Sequence, residues 1–176
     1  MIGRLQILPL GNVDPDLLDW LCYELESGFR ADTEILTPMD PSFAYHPERK
    51  QYHSTEILTA MSKRITRGSW RVLGVTEVDL YVPILTFVFG EAMLGGRSAV
   101  VSYHRLRQEF YGLEKSRDIL ARRLLTESVH ELGHTMQLVH CSDYQCVMSS
   151  SHSVEWIDIK DSRFCRECAD RALVAV

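Results

Sequence analysis

The sequence predicts an α/β fold: a mixed sheet packed on helices, followed by a small irregular C-terminal part. Three observations lead there. Short apolar runs alternate with helical patterns in the order β-α-β-α-β-β-β-α. The helical patterns begin at residues that can accept from the free amides of a first turn. After about residue 136 the periodicity stops, and Cys, Ser, His and Asp become frequent. The length, 176 residues of which 45% are hydrophobic, suits one domain with a real core.

The first apolar run, GRLQILPL at 3–10, reads as a strand. Asp14 and Pro15 then mark a helix start, because Asp accepts from first-turn amides and Pro needs no partner for a donor it lacks. Leu17, Leu18, Leu21, Cys22, Leu25 and Phe29 follow at helical spacing and form its inward face. Cys22 lies within that stripe and reads as a small buried apolar residue. TEILTP at 33–38 reads as a second strand. Ser54 is placed to cap a second helix with Ile57, Leu58, Met61 and Ile65 inward. WRVLGV at 70–75 is a third strand, and LTFVFGEAMLGGRSAVVSYHRL at 85–106 reads as two short strands around Gly95 and Gly96. A long helix is expected from near Lys115 to about Met136.

A net charge of −5 and a pI near 5.8 argue against a broad phosphate-binding surface, so no nucleic-acid partner is expected. The one basic run, SKRITRGSWR, carries Lys63, Arg64, Arg67 and Arg71 and reads as a solvated helix end and strand start. No segment is long and apolar enough to cross a membrane. The N-terminal MIGRLQILPLGNVDPD lacks the pattern of a secretory signal. A cytoplasmic, reducing location is expected, where the five cysteines stay out of disulfides. Oligomeric state is open, with a monomer preferred.

The stretch ESVHELGHTMQLVHC at 127–141 holds three of the seven histidines. On a helix advancing about 100° per residue, Leu125, Val129, Leu132 and Met136 fall within roughly 60° of one another. His130 and His134 leave from nearly the opposite side, one turn apart, where two imidazoles can share one small cation. Glu131 is offset from that point, as a base acting on a metal-bound water needs to be. A catalytic zinc takes three protein ligands and keeps one position open. If the helix ends near Met136, the chain can turn and bring His140 back as the third ligand.

Cys141 and Cys146, then Cys165 and Cys168 as a C-x-x-C pair, have the spacing of a closed four-cysteine zinc site. Four thiolates leave no open position, so this zinc is read as structural, holding a tail too poor in apolar residues to hold itself. Two disulfides and a nucleic-acid-binding zinc ribbon are the alternatives. The intervening VMSSSHSVEWIDIKDSRF has few basic residues for a ribbon.

HELGHTMQLVHC, then CVM, then CREC together resemble the archaemetzincins, a branch of the metzincin zinc peptidases. VDLYVPILTFVFGEA and GGRSAVVS upstream are similar to that family as well. The resemblance implies a metzincin-like twisted mixed sheet on helices, an active-site cleft, and a lower subdomain after the third histidine. Residues 1–140 would form the upper subdomain and 141–176 the zinc-stabilised lower one, within a single domain. It also implies a methionine turn beneath the catalytic zinc, which Met148 matches. One position departs: metzincins usually have glycine three residues after the second histidine, and here it is Gln137. Either Gln137 takes a strained left-handed conformation or the turn follows another path.

The expectation is a zinc metallopeptidase with two zinc ions per chain, acting on peptide or protein substrates through a metal-bound water activated by Glu131. An edge strand near FVFGEAM or SAVVS would hold an extended peptide. No tyrosine follows Met148 to stabilise an oxyanion; His152 is a weaker candidate for that role than for a surface loop histidine. The alternative is a zinc-stabilised binding protein whose histidine site is catalytically unused. It has no need of Glu131.

Overall fold

A computed structural model of the protein describes residues 3–66 and 68–172. Strands β1 (Arg4–Leu10), β2 (Asp32–Ile35), β5 (Ser69–Thr76), β7 (Gly90–Ala92) and β8 (Ser98–Ser102) form a five-stranded sheet in the order β2-β1-β5-β8-β7. All pairings are parallel except β7 with β8, so the sheet is mixed and β7 is an edge. Helix α1 (Pro15–Phe29) separates β1 from β2, and α2 (Ser54–Ser62) precedes β5. Strands β3 (Tyr45–His46), β4 (Gln51–His53) and β6 (Leu80–Tyr81) add a second, three-stranded sheet. These short pairings carry too few residues to show a period, and the sequence pattern did not reveal them.

Alternation within the strands sorts the core onto two faces. Leu5, Ile7, Leu73, Val75, Ala99 and Val101 face α1 and the long helix α3 (Arg117–Thr135). Leu8, Leu10, Val72 and Val100 face α2. Covered on both sides, the central strands are apolar almost throughout, as a buried parallel sheet requires. Gly74 opens room on the α2 face: a Cβ there would stand 2.8 Å from Met61 Sδ and 2.9 Å from Leu10 Cδ1.

The expected inward face of α1 is buried in full, Cys22 included. Asp14 caps it, accepting from Asp16 N and Leu17 N. At α2 the cap differs. His53 is the N-cap residue and Ser54 begins the helix, its hydroxyl turned instead to Tyr81 O and Glu91. Ile65 lies beyond the helix end but still packs on the α2 core. Lys63 and Arg64 are exposed; Arg67 lies outside the described residues; Arg71 is half-buried.

Helix α3 departs from a two-faced helix. Beside Val129 and Leu132 it buries Arg123, Glu127, Ser128, His130 and Glu131, so its polar side is enclosed too. The tail covers part of it. Rather than staying irregular, the tail forms α4 (Val154–Ile159) and α5 (Arg166–Ala172). Val147, Met148, Val154 and Ile157 join the same core as α1 and α3. No helix among the described residues is long and apolar enough to cross a membrane.

Candidate metal centres and cleft

His130 Nδ1 donates to Val147 O at 2.7 Å, and His134 Nδ1 donates to Leu138 O at 2.8 Å. Each bond selects the tautomer whose Nε2 carries a free lone pair. Those two Nε2 atoms face each other at 3.1 Å. Two lone pairs at that separation repel, so the pair fits a cation that accepts from both. His140 supplies a third nitrogen, and one nitrogen from each ring lies within 4.8 Å of the others. Burial holds all three imidazoles below their usual pKa, His130 furthest, with the Lys160 charge next in effect there. Neutral rings are what a metal needs of histidine.

The end of α3 explains how His140 returns. Leu138 N donates to Gly133 O at 3.2 Å and Gln137 N to His134 O at 3.1 Å. This is a Schellman closure, with Gln137 in the left-handed position at φ 66°. Of the two paths open at Gln137, the chain takes the strained one, at a cost of about 1–2 kcal/mol. Leu138 buries beneath the turn, and Arg71 secures the helix end by donating to Thr135 Oγ1 at 2.9 Å and to Thr135 O at 3.2 Å. Arg71, read from sequence as part of a solvated run, thus anchors the turn between His134 and His140.

The three histidines line a cleft of about 670 Å³ together with Glu131, Glu127, His152 and the edge strand β7. Glu131 is 5% exposed. Burial, reinforced by the Glu127 and Glu91 carboxylates against the Lys160 cation, pushes it well above the usual carboxylate range. Its place depends on Gly90. A Cβ there would stand 2.7 Å from Glu131 Cγ, 2.8 Å from its Oε1 and 2.6 Å from Val100 O. Of the two stretches expected to offer an edge, β7 is the edge; β8 lies between β5 and β7.

Behind His130 lies a buried ion pair. Lys160 Nζ is 3.0 Å from Glu127 Oε1, donates to Ser149 O at 3.0 Å, and stands 3.5 Å from His130 Nδ1. Burial outweighs the lysine and leaves Glu127 above the usual carboxylate range. No spacing in the sequence joins residues 127 and 160. The only signal was a glutamate one turn before His130. Met148 is fully buried at the centre of the turn closed by Ser149 N donating to Cys146 O at 2.9 Å. Its side chain packs against Gly133, between the two helix histidines, where only hydrogen leaves room.

Cys141, Cys146, Cys165 and Cys168 bring one sulfur each within 4.8 Å of the others. All four are free thiols. The Cys141 and Cys165 sulfurs are 3.9 Å apart, far beyond a disulfide bond and close to the edge, about 3.8 Å, of a tetrahedron of thiolates around zinc. Cys165 N and Met148 N both donate to Cys146 Sγ, at 3.3 and 3.4 Å, a pattern that favours a thiolate acceptor. Burial nevertheless raises the pKa of Cys146 and Cys168. A buried thiolate cluster is stable only around a cation, so the donor set fits zinc. The groups meet at the His140–Cys141 peptide, and Cys141 N donates to Met148 O at 2.9 Å.

The family model described as Peptidase family M54 matches residues 49–173. An archaemetzincin from Methanocaldococcus jannaschii is 45% identical over 169 residues, covering 96% of this chain and 92% of that protein. The crystal structure of an archaemetzincin from Archaeoglobus fulgidus aligns with a TM-score of 0.82 at 38% identity, over 96% of this chain and 99% of that one. A zinc-dependent peptidase from Methanocorpusculum labreanum aligns with a TM-score of 0.87 at 26% identity, over 96% and 99%. By sequence over nearly its whole length, and by fold, the chain belongs to peptidase family M54 with the archaemetzincins, and it is a zinc metallopeptidase.

Proposed function

We propose that the protein hydrolyses peptide bonds in the cleft, with a catalytic zinc held by His130, His134 and His140 and with Glu131 as general base. A second zinc, held by Cys141, Cys146, Cys165 and Cys168, is structural. The observation that carries this reading is the pair of facing Nε2 lone pairs, 3.1 Å apart, beside a buried carboxylate in an open cleft. Zinc held there would supply Lewis acidity toward the scissile carbonyl and the attacking water.

The chain's own groups do the rest. Val147 O and Leu138 O orient the two helix imidazoles. Glu131, a buried carboxylate on the cleft wall beside the histidines, takes the proton of the attacking water and passes it to the leaving amine. The unpaired edge of β7 offers main-chain partners to an extended peptide. Met148 supports the helix between the histidines. His152 at the cleft rim is the remaining candidate for a group facing the oxyanion. The upper subdomain, 1–140, would carry the three histidines and the edge-strand wall of the cleft, and the lower one, 141–176, the structural zinc and the cleft rim at His152. A reducing compartment such as the cytoplasm would keep the thiols available to zinc.

Digestion of a peptide library, read by mass spectrometry, tests the reading on the zinc-loaded parent and on Glu131→Gln. The parent should cleave, and the cleavage positions separate endopeptidase from aminopeptidase action. Glu131→Gln should keep its zinc and lose at least about 100-fold in rate. A variant that cleaves as well as the parent would refute the assigned base.

A further inference from the structure

Away from the cleft and the cysteines, His46 of β3, His53 at the end of β4 and Glu56 in the first turn of α2 bring one ligand atom each within 4.8 Å of one another. His53 Nδ1 lies 2.9 Å from Glu56 Oε1, and His46 Nε2 lies 3.4 Å from the same oxygen. We propose that these three residues form a further cation site, for a divalent transition metal of the zinc and cobalt kind.

The chemistry selects the ion class. Two imidazoles and one carboxylate suit zinc, cobalt, nickel or copper rather than magnesium or calcium, which prefer an all-oxygen shell. Ligand atoms around a tetrahedral zinc stand about 3.3 Å apart. The His46–Glu56 edge has that length, and the shorter His53–Glu56 edge opens by a small turn of the carboxylate. The rings are already held. His53 stacks on Tyr81 with centroids 5.2 Å apart, and His46 meets the same ring edge-on at 5.5 Å. Tyr81 is only 5% exposed, so it is a fixed platform. Binding therefore orders little that is still free. The side chains of His46 and Glu56 are 45% and 43% exposed, which leaves an outer face for water to complete the shell. The amide ends of α2 oppose a cation, and Glu56 offsets them.

The same turn of α2 reaches the cleft. Ser54 and Thr55, between the two α2-side ligands, both donate to Glu91 of β7, next to Gly90 and Glu131. The site shares no residue with the histidine and cysteine groups, so it stands independently of the assignments made there.

Cobalt(II) and zinc binding to the holoprotein, measured by equilibrium dialysis with elemental analysis, tests the proposal in the parent, His46→Ala, His53→Ala and the double variant. The parent should hold one equivalent more than the double variant, whatever the total, and each single variant should bind that equivalent at least about tenfold more weakly. His46→Ala, at an exposed position, keeps the test valid if His53→Ala disturbs the Tyr81 stack. Equal metal content in parent and double variant would show an ordinary histidine–carboxylate hydrogen-bond cluster and overturn the site.

Discussion

The histidine group and the cysteine group are neighbours with opposite construction. The histidines converge on the wall of an open cleft, and His140 is exposed. The cysteines converge off the cleft, with Cys146 and Cys168 buried and backbone amides turned to the Cys146 sulfur. Two of the histidines are prepositioned by one helix; the cysteines come from three separate stretches of the tail. A group that must exchange ligands needs a rigid support and an open face. A group that only holds chain segments together needs closure and can assemble its own support. One peptide bond, between His140 and Cys141, joins the two.

The widest separation between them should appear in metal affinity. Under stepwise chelation, followed by elemental analysis, the histidine-bound zinc should leave orders of magnitude before the thiolate-bound zinc. A single class of zinc, or cysteines recovered as disulfides, would erase the contrast. Gly90→Ala comes next, because it strikes only the open site. Its methyl needs the space of Glu131 and of Val100 O, so catalytic rate should drop about 10- to 100-fold with both zincs retained. Gly133→Ala is its counterpart beneath the site. Crowding Met148 there should cost about 1–3 kcal/mol of stability, read from denaturant midpoints.

A finer test addresses the joint. Cys141→Ser should loosen His140 through the shared peptide and weaken the catalytic zinc by about tenfold, the effect of ordering one or two extra residues on binding. Cys168→Ser removes a thiolate from the same cluster but should leave that affinity closer to the parent's. Equal catalytic-zinc affinity in Cys141→Ser and the parent would show that the Schellman turn and Arg71 suffice to hold His140. The smallest effect concerns that turn. Gln137→Gly should remove left-handed strain at φ 66°. Set against the added freedom of the unfolded chain, a gain of about 0.5–1 kcal/mol remains, a rise of roughly 2–3 °C in Tm. A lower Tm would mean that the Gln137 side chain, packed on Gly95, contributes more than its backbone costs.

What the sequence determined by itself is what short-range geometry determines. The helical stripe of α1 and its Asp14 cap, the strand runs, the two-strand reading around Gly95, and the four-residue offset of His130 and His134 all follow from periods of two and 3.6 residues. The cysteine spacing and the Gln137 departure were visible for the same reason, since each is a statement about a few adjacent residues. The rest depended on which faces close on which. A wheel diagram set the histidines opposite the apolar face but not what meets them there: Val147 and Lys160 of the tail back His130, while His134 stays on the cleft wall. The same packing buries Glu131, places Lys160 behind His130 across 30 residues of chain, and carries Cys165 to within 3.9 Å of Cys141. The strand order that makes β7 rather than β8 the edge, the need for Gly90, and the meeting of His46, His53 and Glu56 over Tyr81 are likewise long-range. Such contacts are selected by the burial of the whole chain, and a local pattern carries no record of the partner that burial will bring.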